Sequence, residues 1–429
     1  MKLLIKNGRV IDPVNKIDDT LDILVEKGKI IDIKSRIDLK GINTVDATRL
    51  VVVPGFIDMH VHLREPGQEH KETILTGTLA AARGGFTSLA CMPNTSPVND
   101  NGGITEYIIG QAEKAAGVNV FPVAAITLGL RGSQLSDMAD LRNAGAVAFS
   151  DNGKPVFDSL IMRRALEYSR LLEVPVIDHC EDFSLSADGV MNESKWSIRF
   201  GLQGIPAAAE EIMVFRDIIL AEKSGARIHI AHVSTKGSVE LIRQAKKRKI
   251  AVTAEVTPHH LLLTDQMLFN YSTNLKVNPP LRGEDDRKAL IQALQDGTID
   301  AIATDHAPHT PDEKEVEFNQ APFGIIGLES AVPVLLDKLV HKNIISLERL
   351  VELLSSTPAR ILGLESKGRL TKGADADLTL LNLQKESVID VNTFLSKSRN
   401  CPFNRWKLKG MPVMTIVGGK IIYRIKKNR

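Results

Sequence analysis

Between about residue 52 and residue 362 the chain repeats a single rhythm: a short apolar run, a polar turn, then a longer stretch with helical spacing. Apolar runs this short suit buried strands, and strands alternating with helices form βα units around a parallel sheet. Eight runs qualify: Phe56–His62, Phe86–Met92, Val118–Ala125, Ala146–Ser150, Pro175–His179, Arg227–Val233, Ile250–Val256 and Ile299–Thr304. Helical patterns intervene, among them Glu72–Arg83, Leu160–Leu172, Ala207–Glu222, Ser238–Lys247 and Asp286–Leu294. Eight such units predict an α/β fold of the closed (β/α)8, TIM-like kind. A doubly wound open sheet is the alternative, weakened because no Gly-x-Gly-x-x-Gly turn follows the first strand.

Both ends have a different texture. Asn7-Gly8 and Lys27-Gly28 punctuate short alternating runs near the start, and Gly418-Gly419 does so near the finish. Terminal strands need a partner sheet to hide their edges, so the ends are expected to build one small β-sandwich domain together. The expected division is 1–52 plus 365–429 for that domain and 53–364 for the barrel, which also accounts for a length of 429 residues.

Composition narrows the partners. Lys and Arg number 54 against 52 Asp and Glu, a net charge of +2 that offers no basic surplus for nucleic acid. No apolar stretch approaches the roughly 18 residues of a membrane span, and the start turns polar before a signal-peptide core forms. Three cysteines cannot make a disulfide framework, so the expected compartment is the cytoplasm and the expected partner a small molecule.

In a barrel, chemistry belongs at the C-terminal ends of the strands. Strand one ends in His60-Val61-His62, and a period of two turns both imidazoles to one face. Asp151 ends the fourth strand, His179 the fifth, His232 the sixth and Asp305 the eighth. Nitrogen and carboxylate ligands without a thiolate cage suit Zn2+ or a similar divalent ion in an open, catalytic site. Four His and two Asp exceed what one four-coordinate ion needs, so two ions are expected. His229, an odd number of residues from His232, is expected to face the helices; His259 and His260 could stand behind the ligands but read first as packing or solvent contacts, and Cys180, a thiolate ligand in the alternative, reads first as a small buried apolar residue.

These residues carry a resemblance. Pro54-Gly55-Phe56-Ile57-Asp58-Met59-His60-Val61-His62 resembles the amidohydrolase superfamily, and its extension Leu63-Arg64-Glu65-Pro66-Gly67 resembles the long bacterial dihydroorotases. Met92-Pro93-Asn94-Thr95, Val277-Asn278-Pro279-Pro280-Leu281-Arg282 and Thr304-Asp305-His306-Ala307-Pro308-His309 extend the likeness over essentially the whole chain. It implies that His60, His62 and Asp305 hold one zinc ion and His179 and His232 a second, with Asp151 and a hydroxide bridging them. The nearest lysine, Lys154, lies in the following loop and is read as a loop charge.

The reaction implied is the reversible cyclisation of N-carbamoyl-L-aspartate to (S)-dihydroorotate in pyrimidine synthesis. Asp305 is implied as the group that takes the water's proton and returns it to the ring nitrogen. Arg64 would grip the unreacting carboxylate, with Asn94, Asn278, His309 and the backbone at Phe323 and Gly324 as further contacts. The polar stretch 309–324 reads as a lid or as an ordinary surface loop. Hydantoinases and allantoinases share such metal positions but need no carboxylate clamp. A non-catalytic scaffold for aspartate carbamoyltransferase would be expected to lose ligands. An active enzyme leaves that association, and a homodimer, open.

Overall fold

The structure, a computed structural model, describes residues 2–425, so Met1 and the last four residues of the expected β-domain lie outside it. All eight strand candidates of the middle region become strands: Phe56–Val61, Phe86–Cys91, Asn119–Ala124, Ala148–Phe149, Val176–Asp178, Ile228–Ile230, Val252–Val256 and Ala301–Ile302. They run parallel in chain order. The seam between the eighth and the first is closed beyond the strand ends. There His62 N–H donates to His306 O at 2.8 Å, and the Asp58 carboxylate accepts Thr304 N–H at 3.1 Å.

Helices cover the outside of this sheet. Ile74–Gly84, Ser159–Leu171, Ala208–Ser224, Lys236–Lys247 and Glu284–Asp296 fall where the periodicity predicts them, within a few residues. Phe56, Phe86, Leu89, Ile228 and Ile230 pack outward against Ala80, Leu166, Ile218 and Ile242 of those helices in one large core. A separate cluster fills the barrel interior with Ile57, Met59, Ala90, Val123, Ala148, Ile177, Ala231 and Ala303, floored by Ala359 and Ile361.

The termini do combine. Eight strands drawn from both ends are hydrogen-bonded into one continuous sheet, in which Val51–Pro54 lies parallel to Lys2–Asp12 and antiparallel to Leu378–Val388. Leu3, Ile5, Ile23 and Val52 share a core with Leu378, Leu380, Met414 and Ile416. Only Gly55 separates this sheet from the first barrel strand, and a Cβ there would fall 2.1 Å from Thr87 Oγ1.

Residues 389–406 leave the small sheet and pack on the barrel instead, with Ile389, Phe394 and Phe403 against Phe318, Ile325 and Ile326. This strap brings Asn400 Nδ2 to Ala307 O at 3.2 Å and to Gly324 O at 3.1 Å, beside the mouth of the barrel.

Candidate metal centre and active site

The first strand delivers two imidazoles through a local irregularity. Its register with the second strand shifts between Asp58 and Val61. Met59 therefore still fills the barrel interior while His60, next in sequence, reaches the mouth. His62 Nε2 lies 3.1 Å and His60 Nε2 3.5 Å from Asp305 Oδ1. These three residues bring ligand atoms close enough together to hold one cation. The His232 ring stands 5.1 Å from that of His60 and 4.6 Å from that of His179, centre to centre.

Three of the four histidines are oriented by a residue outside the expected ligand set. His60 Nδ1 lies 2.7 Å from Glu255 Oε1, which leaves Nε2 for the cluster. His62 Nδ1 lies 2.8 Å from Asn94 Oδ1. His179 Nε2 lies 2.9 Å from Glu181 Oε2, and its Nδ1 lies 2.9 Å from His232 Nε2. Glu255 and Glu181 escaped the sequence reading. A carboxylate inside the otherwise apolar run Ile250–Val256 was the available signal for Glu255.

His229 corrects an expectation. Its neighbours Ile228 and Ile230 pack outward, so its ring enters the barrel, where Nε2 lies 3.2 Å from Glu255 Oε2 and Nδ1 2.8 Å from Thr253 Oγ1. The odd spacing to His232 misleads because the strand ends at Ile230 and His232 has φ of +33°, which breaks the alternation.

Asp151 lies at the end of the fourth strand with its carboxylate engaged by the loop that follows the third. Its Oδ1 accepts the backbone N–H groups of Ile126 and Thr127 at 2.8 and 3.0 Å, and its Oδ2 accepts the Thr127 hydroxyl. The fourth strand stops at Phe149, so alternation no longer directs residues 150–152. Asn152 faces the cluster instead, with Nδ2 at 2.8 Å from His60 Nε2 and 3.3 Å from His62 Nε2.

Charge is arranged by the same contacts. Burial disfavours ionised Glu255, yet His60 and His229 hold its carboxyl far below the usual range. Burial likewise works against charge on His60, but Glu255, with Asp305 and Asp58, carries its imidazole up to about 9. Asp305, despite burial, is kept ionised by the histidines around it.

Arg64 sits beside this cluster, 8% exposed, with Nε donating to Pro308 O at 3.2 Å. Burial lowers its pKa to about 10, and no carboxylate among the described residues forms an ion pair with it. Asn94 keeps its Nδ2 free of protein partners among the described residues. Asn278 Nδ2 donates to Glu181 Oε2 at 2.8 Å. His309 Nε2 lies 2.9 Å from Phe323 O, and Gly324 N–H donates to Lys276 O, whereas Phe323 N–H meets no acceptor among the described residues.

Cys180 lies behind the fifth strand with Asp178 and Asp217, and Arg216 pairs with Asp217 at 2.7 Å. Burial and those acids push its thiol well up, so it stays a neutral, buried group. Lys154 is exposed in its loop.

Fold and site together define a class, the amidohydrolase barrels. The chain superposes over its full length on L-hydantoinase (dihydropyrimidinase) from Arthrobacter aurescens, with a TM-score of 0.89, 27% identity and 97% of that chain covered. Dihydropyrimidinase from Brevibacillus agri gives a TM-score of 0.85 at 23% identity, covering 99% of this chain and 95% of that one. Residues 49–238 match the Dihydro-orotase-like family and residues 341–423 the Amidohydrolase family. Dihydroorotase of Pelotomaculum thermopropionicum is 54% identical over 98% of both chains, and that of Syntrophus aciditrophicus 52% identical over 99% of this chain and 100% of its own. The chain belongs to the dihydroorotase family.

Among the described residues no helix is long and apolar enough to cross a membrane.

Proposed function

We propose that this chain interconverts N-carbamoyl-L-aspartate and (S)-dihydroorotate in the cytoplasm, with zinc on His60, His62 and Asp305. The observation that carries the substrate is Arg64: a buried guanidinium without a carboxylate partner among the described residues, next to the metal-competent cluster, suits a substrate carboxylate. Hydantoin and allantoin carry no such group. The ligand set also fits a divalent ion by its donor chemistry, two imidazole nitrogens and a carboxylate oxygen. When bound, such an ion supplies Lewis acidity and lowers the pKa of a nearby water.

Around it, the chain's own groups position and move protons. Arg64 binds the substrate carboxylate, with Asn94 Nδ2 and Phe323 N–H as further donors. Asp305, held ionised, accepts the proton of the attacking water and passes it to the departing ring nitrogen. In ring closure the same carboxylate works in reverse. The segment 309–324 closes over the reacting groups as a lid and shields them from bulk water.

The test is absorbance-monitored turnover of dihydroorotate against hydantoin and allantoin, with metal content measured on the same sample. A preference for dihydroorotate of about 100-fold or more in kcat/KM is expected, because the clamp goes unfilled with the neutral rings. Equal or faster turnover of hydantoin would overturn the assignment.

A further inference from the structure

Residues 323–326 reach the mouth of the barrel with most of their peptide groups engaged. Gly324 N–H donates to Lys276 O at 2.9 Å, Ile325 O accepts Ala307 N–H at 2.8 Å, and Ile326 N–H donates to Asn400 O at 3.0 Å. Phe323 O faces His309 Nε2 at 2.9 Å, and Gly324 O accepts from Lys314 Nζ at 3.0 Å and from Asn400 Nδ2 at 3.1 Å. Gly324 has φ of +127°, and a Cβ there would fall 2.8 Å from Ala307 Cβ and 3.1 Å from His309 Nε2. With packing this close, a shift of the Gly324 peptide is passed on to Phe323 and His309.

We infer that Asn400 is a positioning residue: by tying Gly324 to Ala307 it fixes the Phe323 peptide and His309 where substrate meets them. The inference rests on the dihydroorotate reading above and adds to it a residue of the strap, outside the barrel. Asn400 is 4% exposed and uses one amide nitrogen on two carbonyls, Ala307 O at 3.2 Å and Gly324 O at 3.1 Å. Two N–H bonds on one nitrogen suit that task; a hydroxyl could serve only one carbonyl, and a carboxylate neither. Lys314 also holds Gly324 O, but its other contact, Pro322 O, lies in the same segment, whereas Asn400 joins that segment to the end of the eighth strand. Asn400 Oδ1 is buried without a hydrogen-bond partner among the described residues. An amide with its oxygen unpaired contributes less to stability than a fully paired one, so its main effect here is the tie between two segments.

The experiment is steady-state turnover of dihydroorotate by the zinc-loaded full chain, by Asn400→Ala and by Ser398→Ala, with hydrogen exchange of amides 323–326 on the same samples. Ser398 lies on the same strap but donates to Lys71 O at 3.0 Å, in the loop after the first barrel strand. In Asn400→Ala, KM is expected to rise about 10-fold with kcat within about threefold of native, and exchange at Gly324 and Ile326 to quicken. Ser398→Ala is expected to leave both at native values. A native KM in Asn400→Ala overturns the role, and so does an equal rise in Ser398→Ala, which would assign the effect to the strap as a whole. Should Asn400→Ala not fold, Asn400→Ser, which keeps a single donor, takes its place with a smaller rise in KM; if neither folds, Asn400 is a core residue and the role is overturned. A native chain that does not turn over dihydroorotate overturns the reading beneath the inference, and the exchange comparison then still decides whether Asn400 fixes the turn.

Discussion

In the proposed reaction Asp305 and Arg64 divide the chemistry at the residue scale, one handling protons and the other the substrate's inert end. Asp305→Asn keeps an oxygen beside His62 but removes the proton acceptor. Turnover is expected to fall by about 10³-fold or more with bound metal retained, checked by steady-state rates and metal analysis on one preparation. Arg64→Lys replaces a planar fork with a point charge; KM for dihydroorotate is expected to rise about 10-fold with metal content unchanged. Glu255 acts through His60, whose Nδ1 it holds at 2.7 Å. Glu255→Gln is expected to weaken zinc affinity about 10- to 100-fold in competition with a chelating dye, with little change in KM at saturating metal. His60, His62, His179, His232 and Asp305 were legible in the sequence because ligand-type residues recurred at the ends of apolar runs. Asn152 was not, because it adjoins a residue of more obvious chemistry.

At the scale of the element, the segment 309–324 is the one the sequence left between lid and loop. In the fold it is ordered: Thr310 and Glu313 form a capping box on the turn Pro311–Lys314, and Lys71 pairs with Glu313 at 2.8 Å. Lys314 is 6% exposed and donates to Pro322 O at 2.8 Å and Gly324 O at 3.0 Å. Burial, with Lys276 nearby, lowers its pKa from 10.5 to about 7. With the segment open, Lys314 regains its ordinary value, so between about 7 and 10.5 the open form binds the proton more tightly. Closure is therefore favoured as pH rises through that window and weakened as pH falls toward 7. Hydrogen exchange of amides 310–324, corrected for intrinsic rates, is expected to show greater protection at pH 9 than at pH 7. In Lys314→Met that pH dependence should disappear. No sequence pattern announces this arrangement, because the carbonyls that receive the lysine become neighbours only when the segment folds back.

At the scale of the whole molecule the small sheet and the barrel are tied together twice. Val51–Pro54 runs straight into the first barrel strand. The strap 389–406 returns to the barrel mouth, where Glu329 accepts Leu395 N–H at 2.8 Å and Ser396 N–H at 3.1 Å. Leu380 is fully buried where the two ends meet, opposite Val52 and Met414. Leu380→Ala is expected to cost about 2–5 kcal/mol in denaturant unfolding while leaving zinc affinity unaltered, since the cavity opens far from the ligands.

The sequence by itself determined the number and order of the barrel strands, the union of the two ends and the residue types at the mouth. These follow from local periodicity and from the need of each apolar face and strand edge to find cover. The tertiary structure alone decided which neighbouring residue faces the cluster, Asn152 over Asp151, and that His229 turns inward to Glu255. Period-two alternation directs side chains only while the strand lasts. Beyond Phe149 and Ile230, backbone torsions and partners far away in the chain, Thr127 for Asp151 and Asp305 for His62, set the direction of each group.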